Sequence, residues 1–173
     1  MYEHSKIFLI GFMGSGKSTT GKKLASMLNW SFIDLDRRIE EVAGIKIPEI
    51  FSEKGESFFR SIESQTLRNL ASEMQTVIST GGGTPCFDDN MDFMLGTGLT
   101  VYLRATPEHL KDRLVKSSKA RPLIDNIGKD ELEDYIHKKL NEREKWYTKA
   151  EITVDGNETD IPVLYSLVKK WIR

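Results

Sequence analysis

The sequence predicts an α/β fold of three layers: a five-stranded parallel sheet flanked by helices, closed into a single domain over residues 1–173. Three observations carry this reading. Five short apolar runs, partly β-branched, alternate with longer segments of helical character. No linker-like stretch, internal repeat or low-complexity segment divides the chain, and 173 residues suffice for one domain with a proper core. A glycine-dense stretch follows the first apolar run and leads directly into a helical pattern.

Taken in order, residues 6–10 (KIFLI) are short and apolar enough for a buried parallel strand, and 17–28 form the first helix. The second strand is 32–35 (FIDL), followed by helices at 36–43, 47–51 and 56–73. A third strand at 76–79 (TVIS) precedes a helix at 88–95, and a fourth at 99–103 (LTVYL) precedes a helix at 107–115. Helix 129–149, strand 151–154 and helix 161–172 close the chain. Only residues 116–129, with Ser117, Ser118, Pro122 and Gly128, read as a long loop. Such loops inside compact domains are often functional lids.

Charge and composition narrow the chemistry. Lys plus Arg number 25 against 26 Asp plus Glu, so the net charge of -1 gives no general attraction to nucleic acid or to an anionic membrane surface. Any anion site must be local. Cys86 is the one cysteine and has no intrachain partner, which suits a reducing cytoplasm. No apolar run approaches the roughly 20 residues needed to cross a bilayer. Residues 7–10 are too short for the apolar core of a signal peptide, so the expected location is cytoplasmic. His4, His109 and His137 show no metal-ligand spacing.

The glycine-dense stretch is GFMGSGKST, residues 11–19, and Gly11, Gly16, Lys17 and Ser18 satisfy G-x-x-x-x-G-K-[ST] between a strand and a helix. Backbone N–H groups of such a loop point inward, and the positive end of the following helix completes an anion cradle. Gly14, Ser15, Gly16, Lys17, Ser18 and Thr19 therefore form a nucleotide-phosphate site, and the fold becomes a P-loop fold. Lys17 would neutralise the β and γ phosphates and the Ser18 hydroxyl would hold Mg²⁺.

Three further groups accompany it. Asp34 and Asp36 stand two apart at the carboxyl end of the second strand, where open α/β sheets bind ligands. Extended backbone would point both carboxylates to one side, one for metal and one for an attacking hydroxyl. The alternative makes Asp36 a helix N-cap and Asp34 a solvated strand end. Arg60 and Glu63 are three apart on a helix and can pair across one turn, whether at a site or on the surface. Gly81, Gly82 and Gly83 follow the third strand, where they either admit a ligand close to the backbone or make a simple turn.

Together these features resemble the shikimate kinases: the P-loop, Asp34 and Asp36, FRxxE at Phe59 to Glu63, the glycines 81–83, RPL at Arg121 to Leu123 and ERxxxY at Glu142 to Tyr147. The resemblance covers nearly the whole chain. It implies transfer of the ATP γ-phosphoryl group to the 3-hydroxyl of shikimate with Mg²⁺, in chorismate and aromatic amino-acid biosynthesis, by a monomer. It also implies a role for each residue. Asp36 would hold the hydroxyl and act as base, and Asp34 would contact Mg²⁺ through water. Arg60 and Arg143 would clamp the substrate carboxylate, with Glu63 fixing Arg60, while Gly81, Gly82 and Gly83 line the hydroxyl side of the ring. Arg113 would lie against the adenine. Arg121 would reach the phosphates from a mobile lid at about 116–127, and the helical region at about 36–73 would bind substrate.

One departure is Thr84-Pro85, where family members more often carry small apolar residues; Pro85 removes a backbone donor. The nearest enzyme alternative is another small-molecule kinase such as a gluconate kinase, although a neutral-sugar kinase has little use for two arginines on one carboxylate. A P-loop regulatory switch is the alternative from another class. Guanine-specific switches usually carry N-K-x-D, and the nearest stretch here, NETD at Asn157 to Asp160, lacks the lysine.

Overall fold

The computed structural model describes residues 5–119 and 121–172. His4, and Ala120 within the expected lid, lie outside the described residues. Five strands, β1 (Lys6–Ile10), β2 (Ser31–Asp34), β3 (Thr76–Ser79), β4 (Leu99–Arg104) and β5 (Ile152–Asp155), form one sheet in the order β2-β3-β1-β4-β5. Every neighbouring pair is parallel, with Phe8 opposite Ile78 and Thr100 at the centre. The helices are α1 (Lys17–Leu28), α2 (Leu35–Ala43), α3 (Ile47–Asn69), α4 (Asn90–Thr97), α5 (Pro107–Lys116), α6 (Lys129–Tyr147) and α7 (Ile161–Lys169).

The period of two along β1 sorts its side chains between two cores. Ile7 and Leu9 join Val77, Val101 and Leu103 beneath α1 and α7, where Leu24, Leu164 and Val168 pack. Phe8 and Ile10 face the other way, with Ile78 and Tyr102, into a larger core that takes residues from α2 to α6. A fully buried central strand explains why KIFLI shows no polar alternation beyond its first residue.

Several boundaries differ from expectation, each for a local reason. β2 ends at Asp34, whose side chain accepts the Arg37 N–H and caps α2, so the helix begins before Asp36. Asp34 and Asp36 are therefore a cap and a first-turn residue rather than alternate residues of one strand. The two helices expected at 47–51 and 56–73 run as one element kinked at Gly55, with φ 82° and ψ 170°, and end at Asn69 ahead of a short 3-10 turn, Leu70–Ser72. A second 3-10 turn, Thr84–Cys86, follows the glycines. Pro85 sits in its first turn, where its missing N–H deprives no partner, while Thr84 and Cys86 donate to Gly81 O and Gly83 O. α4 begins two residues later than expected, α6 ends at Tyr147, β5 runs from Ile152 to Asp155 and α7 ends at Lys169. Among the described residues no helix is long and apolar enough to cross a membrane.

Candidate active site

The carboxyl ends of β1, β2 and β3 release three segments into one cleft: residues 11–16, the start of α2, and the glycines 81–83. The first begins one wall of the cleft, the phosphate wall expected from the sequence. Gly16 is the N-cap of α1 at φ 90°, a conformation that costs a side-chain-bearing residue energy and that turns the chain into the helix. Lys17 Nζ folds back to donate to Gly11 O at 2.7 Å and Phe12 O at 2.8 Å, with Ser15 Oγ at 3.5 Å. Burial of this ammonium pushes its pKa down to about 7, opposed by the nearby Asp36 and Asp34 and reinforced by Arg121 and Arg143.

Ser18 Oγ donates to Asp34 Oδ2 at 2.8 Å and lies 3.2 Å from Ser79 Oγ. Asp34 thus caps α2 with one oxygen and meets the phosphate wall with the other. On the outer side of the loop, Ser15, Gly16, Thr19 and Arg113 line a cavity of about 300 Å³ that reaches Gly156 and Thr159. Arg113 donates to Gly14 O at 3.1 Å and Asn157 O at 2.6 Å, tying the loop to the turn after β5.

The opposite wall, the expected acceptor wall, surrounds a larger cavity of about 450 Å³, lined by Asp36, Arg60, Glu63, the glycines 81–83 and Arg121. Arg60 Nη1 donates to Glu63 Oε1 at 2.8 Å, Nη2 reaches Glu56 Oε1 at 3.2 Å, and the guanidinium lies 4.1 Å from the centre of the Phe87 ring. A Cβ on Gly83 would stand 2.7 Å from Arg60 Nη2, so a side chain there would push the guanidinium from its present place. Glu63 is fully buried, and that burial raises its pKa against the opposing pull of Arg60 and the Thr84 hydroxyl.

Arg143 stands behind Gly82, its guanidinium over the Phe12 ring at 5.2 Å. Arg143 Nη1 and Arg121 Nε are buried nitrogens without a hydrogen-bond partner among the described residues. Orphaned guanidinium donors are costly, and one at the cleft and a second behind its glycine wall point to anions as its contents. Lys119 Nζ lies 3.4 Å from Asp36 Oδ2, crossing from the segment after α5 to the acceptor wall.

Residues 13–172 match the family model for shikimate kinase. The chain belongs to the shikimate kinase family. It is 44% identical over 153 residues to the shikimate kinase of Parabacteroides distasonis, covering 88% of each chain. The crystal structure of the shikimate kinase from Bacteroides thetaiotaomicron superposes with a TM-score of 0.88 at 41% identity, covering 96% of this chain and 97% of that one. The shikimate kinase from Acinetobacter baumannii, solved in complex with shikimate, gives a TM-score of 0.87 at 33% identity, over 96% and 92% of the two chains.

Within this shikimate kinase frame, the acceptor cavity gathers Asp36, Arg60, Arg121 and the three glycines, and brings Arg143 up behind them. The phosphate wall gathers Ser18 with Asp34, and Lys17 with the loop carbonyls. Arg113 is held by two backbone carbonyls at the rim of the smaller cavity. Four contributors escaped the sequence reading. Ser79 completes the hydroxyl and carboxylate group at Ser18, Phe87 supports Arg60, Lys119 meets Asp36, and Thr84 hydrogen-bonds Glu63. Ser79 was visible only as the end of a strand. Phe87 and Thr84 depend on the path of the 3-10 turn, which no motif announces.

Proposed function

We propose that the two walls transfer the γ-phosphoryl group of ATP to the 3-hydroxyl of shikimate, giving shikimate 3-phosphate and ADP. The observation that carries this reading is the cleft that Arg60, Arg121 and Asp36 line together, with Arg121 Nε unpartnered and the equally unpartnered Nη1 of Arg143 buried behind Gly82. A small hydroxylated carboxylate fits such a lining. Arg60 and Arg143 would hold its carboxylate through charge-assisted bonds, and the glycine backbone lets the ring approach closely. Asp36 would accept the proton of the attacking hydroxyl. Lys17 and Arg121 would neutralise charge on the transferred group, and Arg113 would meet the base at the smaller cavity.

The residues also fit Mg²⁺. Ser18, Asp34 and Ser79 offer only oxygen, with one carboxylate among them, and Mg²⁺ in kinases takes one or two carboxylates and completes its shell with water and phosphate. When bound, the ion would neutralise the β and γ phosphate oxygens. Asp34 holds its position through the α2 cap, whether it meets that ion directly or through water.

The deciding experiment is an ADP-release assay over shikimate, quinate, gluconate and nucleoside monophosphates. Turnover with shikimate well above all others is expected. Preference for any other acceptor overturns the reading.

A further inference from the structure

The Arg60 to Glu63 pair continues into the fold. Glu63 divides its oxygens: Oε1 accepts from Arg60, and Oε2 accepts from Thr84 Oγ1 at 2.8 Å. Thr84 is itself fully buried and doubly held. Its N–H donates to Gly81 O at 3.2 Å, and its carbonyl accepts from Asn90 Nδ2 at 2.9 Å. Asn90 Oδ1 in turn accepts from Arg68 Nη1 at 2.9 Å, so a chain of polar contacts runs from the outer face of α3 to the guanidinium in the cleft. The Thr84 hydroxyl, Glu63 Oε2 and Asp36 Oδ1 all stand within 3.0 to 3.3 Å of the place where a Gly81 Cβ would be.

We infer that Thr84 is a positioning residue for the substrate anion: its hydroxyl fixes the carboxylate of Glu63, which fixes the guanidinium of Arg60 toward the cavity. The inference rests on the role proposed above for Arg60. Glu63 has no solvent to turn to, so each of its oxygens needs a donor from the protein. An apolar residue at position 84 leaves Oε2 bare. Burial already favours the neutral form of Glu63, and losing a donor favours it further, weakening its hold on Arg60. Thr84 touches neither the phosphate loop nor Lys17 through any hydrogen bond described, so the loss concerns the acceptor alone.

The test compares Thr84→Val, which keeps the shape, with the pair Thr84→Ser and Thr84→Ala, which differ in the hydroxyl alone. The Val variant should raise the KM for shikimate roughly tenfold while the KM for ATP and kcat stay within about twofold, as expected for one lost bond to a buried charged group. Ser should stay near wild type and Ala should follow Val. If Val does not fold, the difference between Ser and Ala carries the result. An unchanged shikimate KM in Val and Ala, a Ser variant as impaired as Ala, or equal rises in both KM values each overturns the inference. Arg60→Ala is measured alongside. If it leaves the shikimate KM unchanged, the clamp and the inference fall together; if it raises that KM while the Thr84 variants do not, only Thr84 loses its role.

Discussion

Residues 11–18 and the segment between α5 and α6 both bring cations to the cleft, but by different means. The first holds Lys17 on two backbone carbonyls at 2.7 and 2.8 Å, so its ammonium rests on acceptors built into the same loop. The second offers the Arg121 side chain a Ser117 hydroxyl at 3.4 Å and leaves Nε without a partner, while Lys119 leans across to Asp36 at 3.4 Å. The phosphate wall is satisfied by its own backbone. The other segment also bonds its own backbone, Arg121 N–H to Asp125 Oδ1 at 2.9 Å and the N–H groups of Ile124 and Asp125 to Arg121 O, but holds its cationic side chains only through long contacts. A segment tied to itself more than to the rest of the fold is the kind expected to open at low cost.

The contrast predicts that damage to the acceptor wall leaves the nucleotide site whole. Asp36→Asn should lower kcat by ~10²–10⁴, since the amide keeps the shape but cannot take the hydroxyl proton. ATP affinity, measured by calorimetry, should stay close to wild type, because the loop proposed to cradle phosphate does not depend on Asp36 for any hydrogen bond described. A variant retaining more than about a tenth of wild-type kcat removes Asp36 from the base role.

Arg143→Ala sharpens the same division from behind the glycine wall of the cavity. Removing a guanidinium whose Nη1 awaits a partner should weaken shikimate binding by roughly 2–4 kcal/mol and leave ATP binding nearly unchanged. The two titrations measure this directly. A loss falling on ATP alone would assign Arg143 to the phosphate wall.

How much of this was legible in the sequence follows the same boundary. The phosphate wall is local in the chain, so spacing alone identified Gly11 to Ser18 and placed it between a strand and a helix. The parallel sheet was equally readable, because buried strands such as KIFLI and TVIS show as short apolar runs. The acceptor wall joins residues far apart in sequence: Glu63 to Thr84, Arg60 to Phe87, Lys119 to Asp36. Those pairs became visible only through family resemblance or through the fold. Helix ends were misjudged where a side chain decided them, as when Asp34 rather than Asp36 capped α2.

Arg121→Ala tests the side expected to move. If Arg121 acts on charge that develops during transfer, its loss should lower kcat by ~10²-fold with a smaller effect on either affinity. Hydrogen exchange over residues 116–127 should slow with ADP and slow further with ADP plus shikimate, while residues 11–18 change less. Equal exchange in all three states, with a fully active variant, would erase the distinction between a fixed wall and a closing one.

The smallest predicted effect concerns Lys17 and asks whether the fixed wall responds by charge where the other responds by position. Burial sets its pKa near 7 in the free protein, far below the ordinary 10.5, whereas Arg121 remains charged at any working pH. Phosphate oxygens placed beside Lys17 would favour its charged form and return the pKa upward. Nucleotide binding at about pH 8 should then take up a sizeable fraction of a proton, and at about pH 6 almost none, as read from calorimetry in buffers of different ionisation enthalpy. Stability carries the same signature with a definite sign. The unfolded chain binds the proton that folded Lys17 has lost between about pH 7 and 10.5, so this group makes the free protein more stable as pH rises through that window. Lys17→Met should flatten that slope and abolish the proton uptake together. Uptake that persists in Lys17→Met, or that is equal at the two pH values, would show that the lysine enters the complex already charged.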